Sequence, residues 1–165
     1  MSPNGFKTVI DINLMGSFHA TRAAFAQLKE MRGSIIFISA PHAIVTQAYQ
    51  LHVGAAKAGI ENLMRNLVLE WGNCGIRANS IIPGPIEGSE GFKRLSTPEN
   101  DELNKKLIPV RRYGTADEIG QAAVYLASPL TPYITGAMIP VDCGACLVGS
   151  AVWNQQVEWK ALRKP

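Results

Sequence analysis

Disulfides, metal centres and membrane spans have little to draw on in this sequence. Three cysteines in 165 residues, an odd number with no sign of a secretory context, do not make a disulfide framework. Cys143 and Cys146 form a Cys-x-x-Cys pair, but no second pair or neighbouring histidine completes a zinc set. Two reduced thiols in a loop are the plainer reading. Apolar runs stay well short of the ~20 residues that a membrane span needs. Met1 to Asp11 lacks the long apolar stretch behind a basic one that marks a signal peptide. The end, Leu162-Arg163-Lys164-Pro165, is not the peroxisomal tripeptide. These absences lead to the expectation of a cytoplasmic chain without a membrane partner.

Charge is also scarce, at 18% of residues with a formal net charge of +3. The basic residues are spread over Lys105, Lys106, Arg111, Arg112 and the last few positions, with no aromatic interleaving. A solvated surface is the expectation, not a nucleic-acid interface. Against these absences stands a hydrophobic content of 47%, enough for one domain with a real core. Residues 1–150 are expected to form that domain and 151–165 a tail carrying Trp153 and Trp159.

Three strand-like runs alternate with helical patterns. Ser34 to Ser39 is short and continuously apolar, as a strand buried on both faces should be. Arg77 to Ile82 runs into Pro83-Gly84, and Ala137 to Val141 into Asp142-Cys143-Gly144. Pro140 places the last run at a sheet edge, because proline cannot donate to a ladder. A helix over about 6–31 sets Leu14, Phe18, Phe25 and Leu28 on one face. A second carries Val53, Ala56, Ile60, Leu63, Leu67 and Trp71 at three- and four-residue steps. Thr115 with Glu118 makes a capping box opening a third helix, with Ile119, Ala122, Ala123 and Leu126 inward. From Gly84 to about Leu107 the pattern is a loop with a short amphipathic helix, where α/β enzymes carry lids. The fold class is therefore α/β: a Rossmann-like, doubly wound parallel sheet of about three strands with flanking helices. Three strands are few for such a sheet, so one flank is expected to stay open.

The order of the pieces carries a resemblance. Asp11-Ile12-Asn13-Leu14-x-Gly16 precedes the strand ending in Ser39; Ala55-Ala56-Lys57-Ala58-Gly59 comes next, on a helix. Then come Gly75-Ile76-Arg77-x-Asn79-x-x-x-Pro83-Gly84, Arg112-x-Gly114-x-x-x-Glu118-Ile119 and Thr135-Gly136-x-x-x-x-Val141-Asp142. Each is weak alone. In this order they resemble the second half of the short-chain dehydrogenase/reductase fold over nearly the whole chain. The family's usual tyrosine, four residues before the lysine, is here Val53, and the usual serine slot is Ala40. Valine cannot protonate an alkoxide. The 2,4-dienoyl-CoA reductase branch lacks the tyrosine at this spacing. His52 to Ala58 and Pro83 to Leu95, the latter with Glu87-Gly88-Ser89-Glu90-Gly91, look like that branch in particular.

The resemblance implies reduction of a 2,4-dienoyl-CoA thioester to a 3-enoyl-CoA, with NADPH as cofactor, an acyl-CoA as substrate and a homo-oligomer as the intact form. Lys57 is expected to hold the nicotinamide ribose and lend positive charge; on spacing alone it would be a surface lysine. Asn13 fills the slot of the family's helix-bound polar group, which some dienoyl-CoA reductases fill with an acid. A mid-helix asparagine is unfavourable by propensity, which favours a role for its side chain, although an amide supplies no proton. His42 comes after the strand end, as a candidate proton donor or as a loop histidine without a role. Pro83, Gly84, Pro85, Ile86 and Ser89 are expected on the nicotinamide side of the cofactor. Arg94 is either a contact for CoA or an exposed helix arginine.

One absence weighs on this reading. No Gly-x-x-x-Gly-x-Gly or other phosphate-cradling loop comes after a strand here, so the cofactor's pyrophosphate lacks an anion site within this chain. The expectation is a C-terminal portion that is inactive alone. The alternatives are a non-catalytic oligomerisation module of the same fold, or a relative acting on carbonyl substrates.

Overall fold

The structure, a computed structural model, describes the backbone of residues 1–95 and 98–150 and the side chains of 1–93 and 101–147. The expected tail, with Trp153 and Trp159, lies outside the described residues.

Three parallel strands, β1 (Ser34–Ile38), β2 (Arg77–Pro83) and β3 (Met138–Val141), form one sheet in the order β1-β2-β3. Ser34 pairs with Arg77 and Ile82 with Pro140. Pro140 therefore sits on a strand whose other side has no partner among the described residues, where its missing N–H costs least.

Helices cover both faces. α1 (Pro3–Ile10) starts with the Ser2 hydroxyl accepting from the Gly5 amide at 3.1 Å, and α2 (Gly16–Met31) continues it. Between them, Asp11–Met15 forms a wider turn in which the Gly16 amide donates to the Asp11 carbonyl, five residues back. This corrects the expectation of one regular helix over 6–31. The extra residue shifts the phase of the helix, so Leu14 packs on the core while Phe18 is exposed. Wide turns of this kind cluster at functional sites; this one carries Asn13.

α3 (Leu51–Trp71) crosses from the first strand to the second. Its Ile60, Met64 and Leu67 pack with Phe37 and Ala78 into the main core, against Leu14, Ile35 and Met138. Gly59 is needed here: a Cβ would stand 2.8 Å from the Leu14 side chain, so glycine lets the wide turn seat against α3. Because side chains alternate along a strand, Ala78, Ser80 and Ile82 face α3, and Arg77, Asn79 and Ile81 face the other way.

On that second face lies α6 (Ala116–Ala127), opened by the expected capping box, with Leu126 buried. Arg77 donates to the carbonyls of Leu126 at 2.8 Å and Ile134 at 3.2 Å. Asn79 is fully buried; it donates to Ile134 and accepts from the Ala137 amide, each at 3.0 Å. The Arg77-x-Asn79 spacing thus ties the end of α6 and the approach to β3 to the central strand. Between β2 and α6, the single short helix expected over 84–107 is two: α4 (Glu90–Leu95) and α5 (Pro98–Leu107).

Candidate functional site

The carboxyl ends of the three strands open on one side of the sheet, where an α/β fold binds its ligands. Lys57 projects there from the second turn of α3 and donates from Nζ to the Ile38 carbonyl, at the end of β1, at 2.9 Å. Burial pushes its ammonium below the usual lysine range, and the charge of Glu61 pulls partly the other way. Val53, one turn earlier, is half-buried and brings no polar atom.

The next residue along from β1, Ser39, is buried, and its Oγ has no hydrogen-bond partner among the described residues. His42 stands in the short turn Pro41–Ala43, against the start of α3; a Cβ on Gly54 would lie 3.2 Å from its carbonyl. Its Nε2 bonds Gln47 Oε1 at 2.8 Å, and its buried Nδ1 has no partner among the described residues. Asn13 behaves otherwise. Its Nδ2 donates back along the helix to the Val9 carbonyl at 3.0 Å, and its own carbonyl accepts from Ser17 at 2.7 Å.

The second wall is the loop after β2. Gly84 donates to Val141 at 3.1 Å, and a Cβ there would come within 2.7 Å of the Asp142 backbone, so only glycine lets the two strand ends close up. Pro85 accepts from the Gly114 amide at 3.0 Å and Glu87 donates to the Gly114 carbonyl at 2.9 Å. Both clamp the loop around Ile86 onto the segment before α6. Among the described residues no hydrogen bond takes the Ile86 amide. Ser89 is occupied: its hydroxyl donates to the Ile86 carbonyl at 2.9 Å and accepts from the Phe92 amide at 3.1 Å, which caps α4. The expected side-chain contact of Arg94 lies outside the described residues. Asp142 serves as a cap, accepting from Gly144 at 2.9 Å and Cys146 at 2.7 Å. Burial and that carboxylate push the Cys146 thiol up to about 12. No group of three or more possible metal ligands exists among the described residues.

Arg112 makes two bonds to Glu118, at 2.6 and 3.0 Å, beside the cleft under Gly84 and Pro85. With the Thr115 amide also donating to it, Glu118 is held at about 2 against an ordinary 4.5. A depressed carboxylate stabilises the fold above its unfolded value and loses that contribution as pH falls through the folded one. Acid unfolding should therefore gain a component between about 4.5 and 2. Glu118→Gln should remove it, read by circular dichroism as a flatter acid limb.

Sequence reasoning missed Glu61 and Ser80. Glu61 is 2% exposed and its Oε2 accepts from Ser80 Oγ at 2.7 Å. The available signal was an acid between Ile60 and Met64, on the inward face of an amphipathic helix.

A family model described as enoyl-(acyl carrier protein) reductase matches residues 1–146. The chain belongs to the short-chain dehydrogenase/reductase family. It is 44% identical over 150 residues to a protein of Saccharomyces cerevisiae named as a peroxisomal, (3E)-enoyl-CoA-producing 2,4-dienoyl-CoA reductase, covering 91% of this chain and 51% of that one. A protein of Rattus norvegicus with the same activity in its name is 42% identical, over 88% of this chain and 50% of that one. The chain spans about half the length of these curated relatives. Among solved structures, a 7α-hydroxysteroid dehydrogenase complexed with NADH superposes with a TM-score of 0.82 at 27% identity, over 87% of this chain and 56% of that one. A short-chain oxidoreductase from Burkholderia thailandensis gives 0.84 at 29% identity, over 96% of this chain and 62% of that one. Relationship to these proteins implies a nicotinamide cofactor. The groups with the chemistry to take its nicotinamide half are Lys57 and the unpartnered Ser39 hydroxyl at the end of β1 and the glycine-pinned loop after β2.

Proposed function

We propose that this chain supplies the substrate side of an NADPH-dependent 2,4-dienoyl-CoA reductase in the degradation of unsaturated fatty acids. The observation that carries the reading is Lys57 at the strand ends with Val53, not a phenol, one turn before it. A carbonyl reductase needs a strong acid for its alkoxide. Reduction of a conjugated thioester builds an enolate instead, and that needs hydrogen-bond donors around an oxygen. When bound, NADPH supplies the hydride to the far end of the diene.

The chain's own groups do the rest. Lys57 leaves the Ile38 carbonyl to hold the nicotinamide ribose and lends its charge to the enolate. The loop Pro83-Gly84-Pro85-Ile86 presents its backbone to the nicotinamide, with Ser89 fixing its far end as the cap of α4. Asn13, on the wide turn, orders the donors or a water around the thioester oxygen. His42, in the turn after β1, is the candidate for delivering the proton. Arg94 is the candidate contact for CoA, and the intact enzyme is a homo-oligomer.

An L-rhamnose-1-dehydrogenase of Scheffersomyces stipitis is 37% identical over 87% of this chain, which keeps a carbonyl substrate as the second reading. Val53 and Ala40 speak against it. No described helix is long and apolar enough to cross a membrane. Cytoplasmic placement is a separate proposal, and the yeast and rat relatives are named as peroxisomal. The test monitors NADPH oxidation with a dienoyl thioester and, in parallel, reduction of NAD+ or NADP+ with a sugar. The 165-residue chain alone is expected to show no turnover, for want of a phosphate site. Fused behind the cofactor-binding half of a full-length relative, it should reduce the thioester at roughly 1 per second or faster. Turnover of the sugar alone would overturn the reading.

A further inference from the structure

Glu61 is a buried acid that the proposed chemistry does not use. Ser80 grips one carboxylate oxygen; the other, Oε1, is buried with no partner among the described residues. A buried carboxylate held by one hydroxyl is costly unless a cation stands near enough to balance it.

The surroundings narrow the choice of cation. The strand residues facing α3, namely Ile35, Phe37, Ala78, Ser80 and Ile82, carry no charge. On the helix through the wide turn, Lys7 and Asp11 pair with each other at the surface, and His19, Arg22, Lys29 and Glu30 are exposed. On α3 itself, His52 lies more than two turns before Glu61 and on the opposite face of the helix, while Arg65, four residues after Glu61, is exposed and turns its guanidinium to the Met138 sulfur at 3.1 Å. His42, in the turn packed on the start of α3, bonds Gln47. The half-buried cation within one turn of Glu61 is Lys57. It sits four residues before Glu61, on the same face of the helix, and is half-buried with its ammonium at the strand ends.

We propose that Glu61 is a positioning residue that steadies the Lys57 ammonium from inside the core, with Ser80 clamping the carboxylate. Its consequence for catalysis rests on the role proposed for Lys57 in the reductase. The pairing itself does not.

The test reads Lys57 directly. The full chain is acetylated competitively across a pH series, and the peptide bearing Lys57 is quantified by mass spectrometry. In Glu61→Gln the lysine should become reactive at lower pH, its midpoint falling by roughly one unit, the low end of what loss of an opposite charge produces. Glu61→Asp, which keeps the charge, should restore most of the original midpoint. If the glutamine variant does not fold, the pair Glu61→Met with Ser80→Ala removes both polar partners together, which a core tolerates better, and should give the same fall. An unchanged Lys57 midpoint in any charge-removing variant that keeps the parent circular dichroism would overturn the proposal. So would an equal fall in Glu61→Asp. Failure of the reductase reading would leave this readout untouched.

Discussion

Lys57→Ala, in a full-length enzyme that carries this chain as its second half, is expected to lower kcat about 10²–10³-fold, the range for removing one preorganised donor from a developing negative charge. That corresponds to roughly 2.7–4 kcal/mol of transition-state stabilisation. The size reflects what the cleft contains. Val53 offers nothing polar, Asn13 spends its amide on the Val9 carbonyl at 3.0 Å, and Ser89 spends its hydroxyl on capping. The ammonium is thus the one cationic group that the described structure places at the end of β1. Removing it should also raise KM for the cofactor if the same group holds the ribose as proposed. Asn13→Ala should behave differently, lowering kcat by a smaller factor with KM nearly unchanged, as loss of a group that acts mainly in the transition state does. Steady-state kinetics on both variants separate the two roles. A Lys57→Ala enzyme with near-normal turnover would return the lysine to the surface of an amphipathic helix.

How far this site could be read without coordinates depended on the kind of signal each part left. The strands were legible because β2 is buried through five of its seven residues, which demands an unbroken apolar or small-residue run. The capping box of α6 was legible because its two members are three residues apart and each side chain bonds the other's backbone amide. The wide turn at Asp11–Met15 left no such trace. One extra residue per turn changes the phase of a pattern without changing its composition, and Phe18 consequently moved from the expected core face to the surface. Glu61 was hidden by the rule that acids face water, which fails where a strand hydroxyl faces the helix. Ser89 and Asp142 show the converse. Position suggested ligand contact for the first, and the geometry makes both of them caps. Short polar side chains at the ends of strands and helices are claimed first by nearby backbone amides.

The largest effect expected of the chain taken by itself is self-association. β2, with neighbours on both sides, buries most of its length, whereas β1 buries only Phe37 and leaves Ile38 at 48% exposure. The outer edge of β1 has no partner among the described residues, and an unpaired edge is a template for another chain. Further apolar side chains are exposed: Ile44, Val45 and Leu51, beyond β1, and Ile12 and Met15 on the wide turn. Every 100 Å² of such surface left in water forfeits about 2.5 kcal/mol, against a net stability of only 5–15 kcal/mol for an ordinary domain. Covering a few hundred Å² therefore decides whether the sheet holds. Two routes are open: edge-to-edge pairing through β1, or packing of α1, α2 and α3 against a second copy. Size-exclusion chromatography should give a dimer or larger species whose urea midpoint rises with protein concentration, because association adds to stability by mass action. Lys substituted at Ile36 or Ile38 would blunt the edge and should lower the association if β1 is the contact, while leaving it intact if the helices are. A monodisperse monomer, unfolding in one sharp step independent of concentration, would mean that three strands with α3 and α6 across them are a self-sufficient core.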